Sequence, residues 1–172
     1  MMVGEKVLLR ALEPGDLPVM YAWENERANW LVSNTTAPFS KHILEKFIET
    51  SSQDIYANRQ LRLMVEEVGT GKTVGAVDVF DFDPDHQRAG LGILIAPEFR
   101  QRGYGLESIL LAKDYLFNSV RLHQVYCHVM ADNEASMRLF QRAGFSECGR
   151  LRQWMRTRKG FVDVWVLQCI NE

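Results

Sequence analysis

No apolar run in the sequence approaches the ~20 residues needed to cross a bilayer. Met1–Arg10 alternates like a strand and holds no apolar signal core, so a soluble, unprocessed, cytoplasmic chain with no membrane partner is expected. Cysteine is scarce. Cys127, Cys148 and Cys169 are odd in number and widely spaced, which excludes a disulfide framework and the short paired spacing of a zinc site, and predicts reduced thiols. Neither sign of charge dominates: a formal charge of -2 provides no global basic field, which argues against bulk nucleic-acid binding. His42, His86, His123 and His128 lack the H-x-x-x-H helical spacing of a metal site. Asp81-Phe82-Asp83-Pro84-Asp85 begins like a calcium loop, but His86 stands where that loop needs glycine and Gly92 where it needs glutamate. No metal is expected.

What remains is ordinary globular composition, 47% hydrophobic and 24% charged, enough for one compact domain over residues 1–172. Val7, Leu9 and Ala11 alternate as a first strand, and Glu13-Pro14-Gly15-Asp16 gives turn chemistry before a helix to about Glu26. Asn29–Pro38 is polar and irregular. Ser40 caps a second helix, Lys41–Thr50, with Ile43, Leu44, Phe47 and Ile48 on one face. Leu61–Val65 and Val74–Phe80, separated by Gly69–Gly71, read as a hairpin, and Arg88–Ile95 as the next strand. A helix follows the glycines at 103 and 105 and carries Ile109, Leu110, Tyr115 and Leu116. After it come a strand at Val125–Val129, a helix over Asn133–Arg142 stopped at Gly144, and two strands near Cys148–Met155 and Phe161–Ile170. The predicted order is β-α-α-β-β-β-α-β-α-β-β, a mixed α/β sheet.

Two segments carry chemistry. Arg100-Gln101-Arg102-Gly103-Tyr104-Gly105 lies between a strand and a helix, where unpaired backbone N–H groups and the positive helix end suit an anion such as a diphosphate. Read alone, it fits equally a tight turn with solvated arginines. It is neither a Walker loop, lacking Gly-Lys-Ser/Thr, nor a G-x-G-x-x-G dinucleotide fingerprint. Asn133–Phe145, read alone, is an N-capped amphipathic helix with Met137 and Phe140 in the core.

Together the two segments resemble the GNAT superfamily of N-acetyltransferases. Arg100, Gly103 and Gly105 match its Arg/Gln-x-x-Gly-x-Gly/Ala loop, and Asn133, Ser136, Phe140, Gly144 and Phe145 match its N-x-x-[S/A]-x-x-x-[Y/F]-x-x-x-G-F segment. The opening Lys6–Leu17 is similar to the ribosomal-protein-alanine and spermidine acetyltransferase branch. The resemblance implies a GNAT-like fold and acetyl-CoA as cofactor. It assigns Arg100, Gln101, Arg102, Gly103, Tyr104, Gly105 and Leu106 to the diphosphate, Asn133 and Ser136 to the pantetheine arm, Phe140 to the thioester and Arg142 to a CoA phosphate. Backbone at Ile93, Leu94 and Ile95 then supplies the hydrogen bond for the oxyanion.

An alkyl ammonium, of reference pKa ~10.4, must lose a proton before attacking a thioester. Asp78 is the candidate base, since an acidic residue is similarly placed in the amine pocket of spermidine-type members. Glu24 and Glu26 are candidate substrate-binding acids, and Trp30, read as lying in a loop, is a candidate pocket cover. Each acid also fits a solvated surface position, and Trp30 a packing role. Many members have tyrosine at the position of Phe140 to protonate the departing thiolate; phenylalanine cannot. Water, Tyr126 or Ser136 must then substitute, or transfer is slow. Three functions fit: acetylation of a small amine such as a polyamine, acetylation of a protein N-terminus, and a CoA-binding module with weak or no transfer. The resemblance also implies a homodimer. Arg150, Arg152, Arg156, Arg158 and Lys159 on the last hairpin read as a solvated strand face, with attraction of an acidic peptide or RNA as the alternative.

Overall fold

The computed structural model describes residues 1–33, 35–51 and 54–172. Alternation dictates the strands. In β2 (Val7–Ala11), Val7 and Leu9 are fully buried while Leu8 and Arg10 are only partly covered. A short strand β1 (Met2–Val3) precedes it, and β3 (Leu61–Glu67), β4 (Thr73–Asp83), β5 (Arg88–Ile95), β6 (Gln124–Met130), β7 (Ser146–Thr157) and β8 (Gly160–Ile170) follow. They form one mixed sheet in the order β1-β2-β3-β4-β5-β6-β8-β7, in which β5 and β6 are the parallel pair.

The helices are α1 (Leu17–Asn25), α2 (Arg27–Ser33), α3 (Lys41–Thr50), α4 (Ile55–Asn58), α5 (Tyr104–Asp114) and α6 (Glu134–Arg142). Under α5 and α6, one face of the sheet buries Leu9, Val65, Val77, Leu91, Val125 and Leu167 against Ile109, Leu116 and Phe140. On the other face Met64 and Ala76, from β3 and β4, pack with Met20 of α1 and Leu44 of α3. No residue of β6, β7 or β8 belongs to this second core. The predicted order is therefore present, with three short additions: β1, α2 and α4.

Two expectations are corrected. Part of Asn29–Pro38 is helical, because the extended backbone of Glu26 ends α1 and its carbonyl then accepts the Asn29 N–H at 2.9 Å, starting α2; Asn34 lies outside the described residues. Ser40 does cap α3, accepting from Ile43 N, but Ile43 itself is 51% exposed while Leu44, Phe47 and Ile48 face the core, as i, i+3, i+4 spacing requires.

The entry to α1 is held by a buried ion pair. Asp16, 3% exposed, receives Arg10 Nη1 at 2.8 Å and Nη2 at 2.9 Å, plus the Glu13 N–H at 2.9 Å. Arg10 also reaches Glu66 at 2.6 Å and Thr73 at 2.9 Å, so one guanidinium joins β2, β3, β4 and the turn before α1. Burial pushes the Asp16 carboxyl up, but the hydrogen bonds from Arg10 and Glu13 N–H outweigh it, and the group sits below its ordinary value. A lowered folded pKa contributes stability that is complete above the unfolded value of ~3.9 and is lost as pH falls through the folded one. Asp16→Asn is expected to cost about 2 kcal/mol at pH 7. In urea titrations this gap should narrow at pH 3; a gap of constant size would mean that Asp16 acts through packing and not through charge.

Candidate active site

The sheet is open at its centre. β4 accompanies β5 as far as Ile95, and β8 accompanies β6 from Gln124 to Met130. Between β5 and β6 the parallel ladder has three positions only, Arg88↔Gln124, Ala89↔Val125 and Gly90↔Tyr126. Beyond them the strands part. Ala89, Gly90 and Leu91 are buried, while Gly92, Ile93, Leu94 and Ile95 are half-buried. The Ala96 N–H donates to Val74 C=O at 2.9 Å, which sets the phase of the β4/β5 ladder and turns the backbone groups of Ile93 and Ile95 towards the opening. It turns those of Leu94 towards Ala76 of β4, so, against expectation, Leu94 does not face a ligand in the opening. The Ala131 N–H to Asp163 C=O bond likewise turns the backbone groups of His128 and Met130 towards it from β6, past Tyr126, whose groups belong to the ladder with β5. The Ile95 carbonyl accepts Arg100 Nε and the Met130 carbonyl the Asn133 N–H, and the Ile93 and His128 groups between them, which take no part in a ladder, favour an extended ligand with amides of its own. The pantetheine arm of CoA has that chemistry.

The loop leading from β5 to α5 lies at the end of this opening. Gln101 (φ 62°) and Gly103 (φ 85°) both adopt the left-handed conformation, with Gly103 at the N-cap of α5. A Cβ on Gly105 would come within 3.3 Å of Leu139 of α6, so this position also sets how closely the two helices approach. Arg100 Nε donates to Ile95 C=O at 3.0 Å, and Arg102 Nη2 to Glu98 C=O at 3.0 Å with its guanidinium 5.3 Å from the Phe99 ring. Both arginines remain exposed beside the first N–H groups of α5, which have no intrahelical carbonyl. That donor set suits a diphosphate, and the residues present fit the CoA implied by the sequence. Leu106 packs against the core below the loop.

Asn133 caps α6: its Oδ1 accepts the Ser136 N–H at 3.1 Å, and its amide NH2 is not used by the cap. Ser136 is half-buried and Arg142 exposed. Phe140 is 3% exposed and stacks edge-on against Phe145, with centroids 5.1 Å apart. Tyr126 lies on the opposite face of the sheet, beside Phe80 and His128, and its hydroxyl meets Asp81 at 3.3 Å. Burial first, then the Asp81 charge, raises this phenol above its ordinary value.

Across the sheet from α5, the structure brings Glu24 and Asp78 together through a residue that the sequence reading left out. Arg62 donates to both Asp78 oxygens, at 2.7 and 2.9 Å, and to Glu24 at 2.5 Å. Arg62 and Asp78 are register partners on β3 and β4, and Asp78 is in turn the register partner of Gly92 on β5, beyond the point where the strands part. The signal was present in the alternation: Arg62 shares a strand face with Met64 of the second core, and a charge at such a position needs a partner. Burial alone would lower the Arg62 guanidinium, but Asp78 and Glu24 raise it, and it stays charged. Two carboxylates against one guanidinium leave one net negative charge. Glu26 does not join them; it is exposed and turns back to the Ala28 N–H at 3.3 Å. Trp30 is on α2, not in a loop, and its Nε1 donates to Glu24 C=O at 2.8 Å.

Comparison with known proteins agrees with this geometry. Residues 6–146 match the family model described as "Acetyltransferase (GNAT) domain". The spermidine N(1)-acetyltransferase of Vibrio cholerae is 30% identical over 162 residues, covering 94% of this chain and 91% of that one. The crystal structure of the spermidine N-acetyltransferase from Vibrio cholerae in complex with CoA and spermine superposes with a TM-score of 0.85 at 29% identity, covering 95% of each chain. A dodecameric structure of the Vibrio cholerae enzyme gives 0.79 at 29% identity, covering 95% of this chain and 93% of that one. A parted parallel strand pair, a glycine loop at a helix start and a match across most of the length agree: this chain belongs to the GNAT family and is an acetyl-CoA-dependent N-acetyltransferase.

Proposed function

We propose that the acceptor is a small polycationic amine of the polyamine class. The observation that carries this reading is the Glu24–Arg62–Asp78 cluster, a net anion on the strand next to the opening and on the face away from α5. Similarity to spermidine acetyltransferases supports it. A distal ammonium of the substrate pairs with Glu24, whose one oxygen is engaged by Arg62, and the attacking amine delivers its proton towards Asp78 directly or through water. Acetyl-CoA supplies the activated acyl group when bound. Gln101, Gly103, Tyr104 and Gly105 hold its diphosphate by backbone N–H groups with Arg100 and Arg102 adding charge, while Asn133 and Ser136 orient the arm. Backbone N–H groups of Ile93 and Ile95 donate to the oxygen on which charge develops. Phe140 packs beside the thioester and has no proton to give, so water or the Ser136 hydroxyl is the acid for the departing thiolate. The reading extends to self-association of this chain, because the similar Vibrio cholerae enzyme is dodecameric and because Trp154 and Phe161 stand 58% and 62% exposed on the β7/β8 hairpin. A reducing cytoplasm suits Cys127, Cys148 and Cys169, all free.

In a thiol-release assay, spermidine and spermine should be turned over, and Glu24→Gln should raise their KM about fivefold while leaving KM for acetyl-CoA near its original value. Equal effects on polyamines and monoamines would remove the polycation reading, and turnover confined to peptides would replace it with N-terminal acetylation. Asp78→Asn is expected to lower kcat/KM for spermidine about 100-fold; an unchanged kcat/KM would leave Asp78 as a partner of Arg62 alone. Phe140→Tyr introduces the missing donor and should raise kcat, by about tenfold if thiolate departure limits turnover. An unchanged kcat with intact CoA affinity would mean that no acid is needed there.

A further inference from the structure

Sequence distance hides a second fastening of the cofactor loop. The turn between β1 and β2 wraps around a carboxylate from the first turns of α5: Glu107 accepts three consecutive backbone N–H groups, from Glu5 at 2.9 Å, Lys6 at 2.8 Å and Val7 at 2.7 Å. Charge-assisted bonds of this kind are about twice as strong as neutral ones, and three on one carboxylate leave it little freedom. The turn fits closely, since a Cβ on Gly4 would lie 2.7 Å from the Glu107 carboxyl carbon. From the same turn, Lys6 Nζ donates to the Arg102 carbonyl at 3.2 Å and lies 2.9 Å from where a Cβ on Gly103 would be. The Lys6 carbonyl in turn accepts the Val68 N–H at 2.9 Å. Next to Val68, Glu67 accepts the Tyr104 hydroxyl and the Thr70 hydroxyl and lies 4.0 Å from Arg102.

We propose that the turn at Gly4–Lys6 is a clasp that sets the shape of the diphosphate loop, with Glu107 and Lys6 as positioning residues for acetyl-CoA. Gln101 is held at φ 62°, a conformation that a non-glycine residue adopts at a cost, so the loop needs support from outside itself to persist without ligand. The clasp provides that support by acting on a loop carbonyl and on the helix that begins at the loop. It does not use the N–H groups that face an anion. Its effect is preorganisation: the ordering of the loop is complete before the cofactor arrives, and affinity rises accordingly. Coupling is reciprocal, so a cofactor seated on the loop must tighten the clasp by the same factor.

The test reads both directions. In the wild-type protein, hydrogen exchange at the amides of Glu5, Lys6 and Val7 should slow about tenfold on adding CoA. Calorimetry with CoA should give a Kd about tenfold higher for Glu107→Gln, and KM for acetyl-CoA should rise with it by more than kcat falls. Gly4→Ala keeps the carboxylate and displaces it by contact; it should weaken CoA binding in the same direction, and it decides the matter if Glu107→Gln does not fold. Exchange at residues 5–7 that ignores CoA, or an unchanged Kd in a folded variant of either kind, would overturn the proposal.

Discussion

The site depends on a disagreement between two strand pairings. β5 follows β4 through Ile95, and β6 follows β8 through Met130, and the two pairs can share a ladder for only three positions before their paths diverge. A closed sheet would satisfy every edge group internally. This one leaves the edge groups of Ile93 and Ile95 facing those of His128 and Met130, and α5 and α6 start where a ligand laid in that opening would end. Binding then needs few special side chains, because the backbone itself supplies the donors and acceptors.

The two faces of the sheet divide the work. The α5/α6 face carries the larger core and the glycine loop, so its fixed geometry descends from packed aliphatic side chains such as Ile109 and Leu116, each fully buried. The opposite face is built on a smaller core and on two ionic clusters, Arg10 with Asp16 and Glu66, and Arg62 with Glu24 and Asp78. The first is nearly sealed at Asp16 and serves the fold. The second keeps more contact with solvent, Asp78 being 39% exposed at its side chain.

Much of the fold was legible because strand alternation and helix caps are local. Ser40, Asn133 and Gly144 marked helix ends from a few neighbours, and Val7, Leu9, Leu63 and Val65 declared a buried strand face. The helix at Arg27–Ser33 was not legible, since its start depends on an extended Glu26 whose carbonyl accepts the Asn29 N–H. Asp78 and Glu24 could be named as acids, but nothing near either of them in the chain announces Arg62 as their common partner. That contact spans 16 residues on one side and 38 on the other.

By itself, then, the amino-acid sequence determined the element order, the glycine loop with its helix and the companion segment at Asn133–Phe145, because each is written in residues a turn or two apart. Tertiary structure decided where the sheet parts, that Glu24 and Asp78 share one guanidinium while Glu26 stands away, and that Glu107 holds amides about 100 residues earlier in the chain. The reason is physical. Hydrogen bonds and ion pairs form between groups brought together by the burial of other residues, and that burial is a property of the whole sheet rather than of any segment within it.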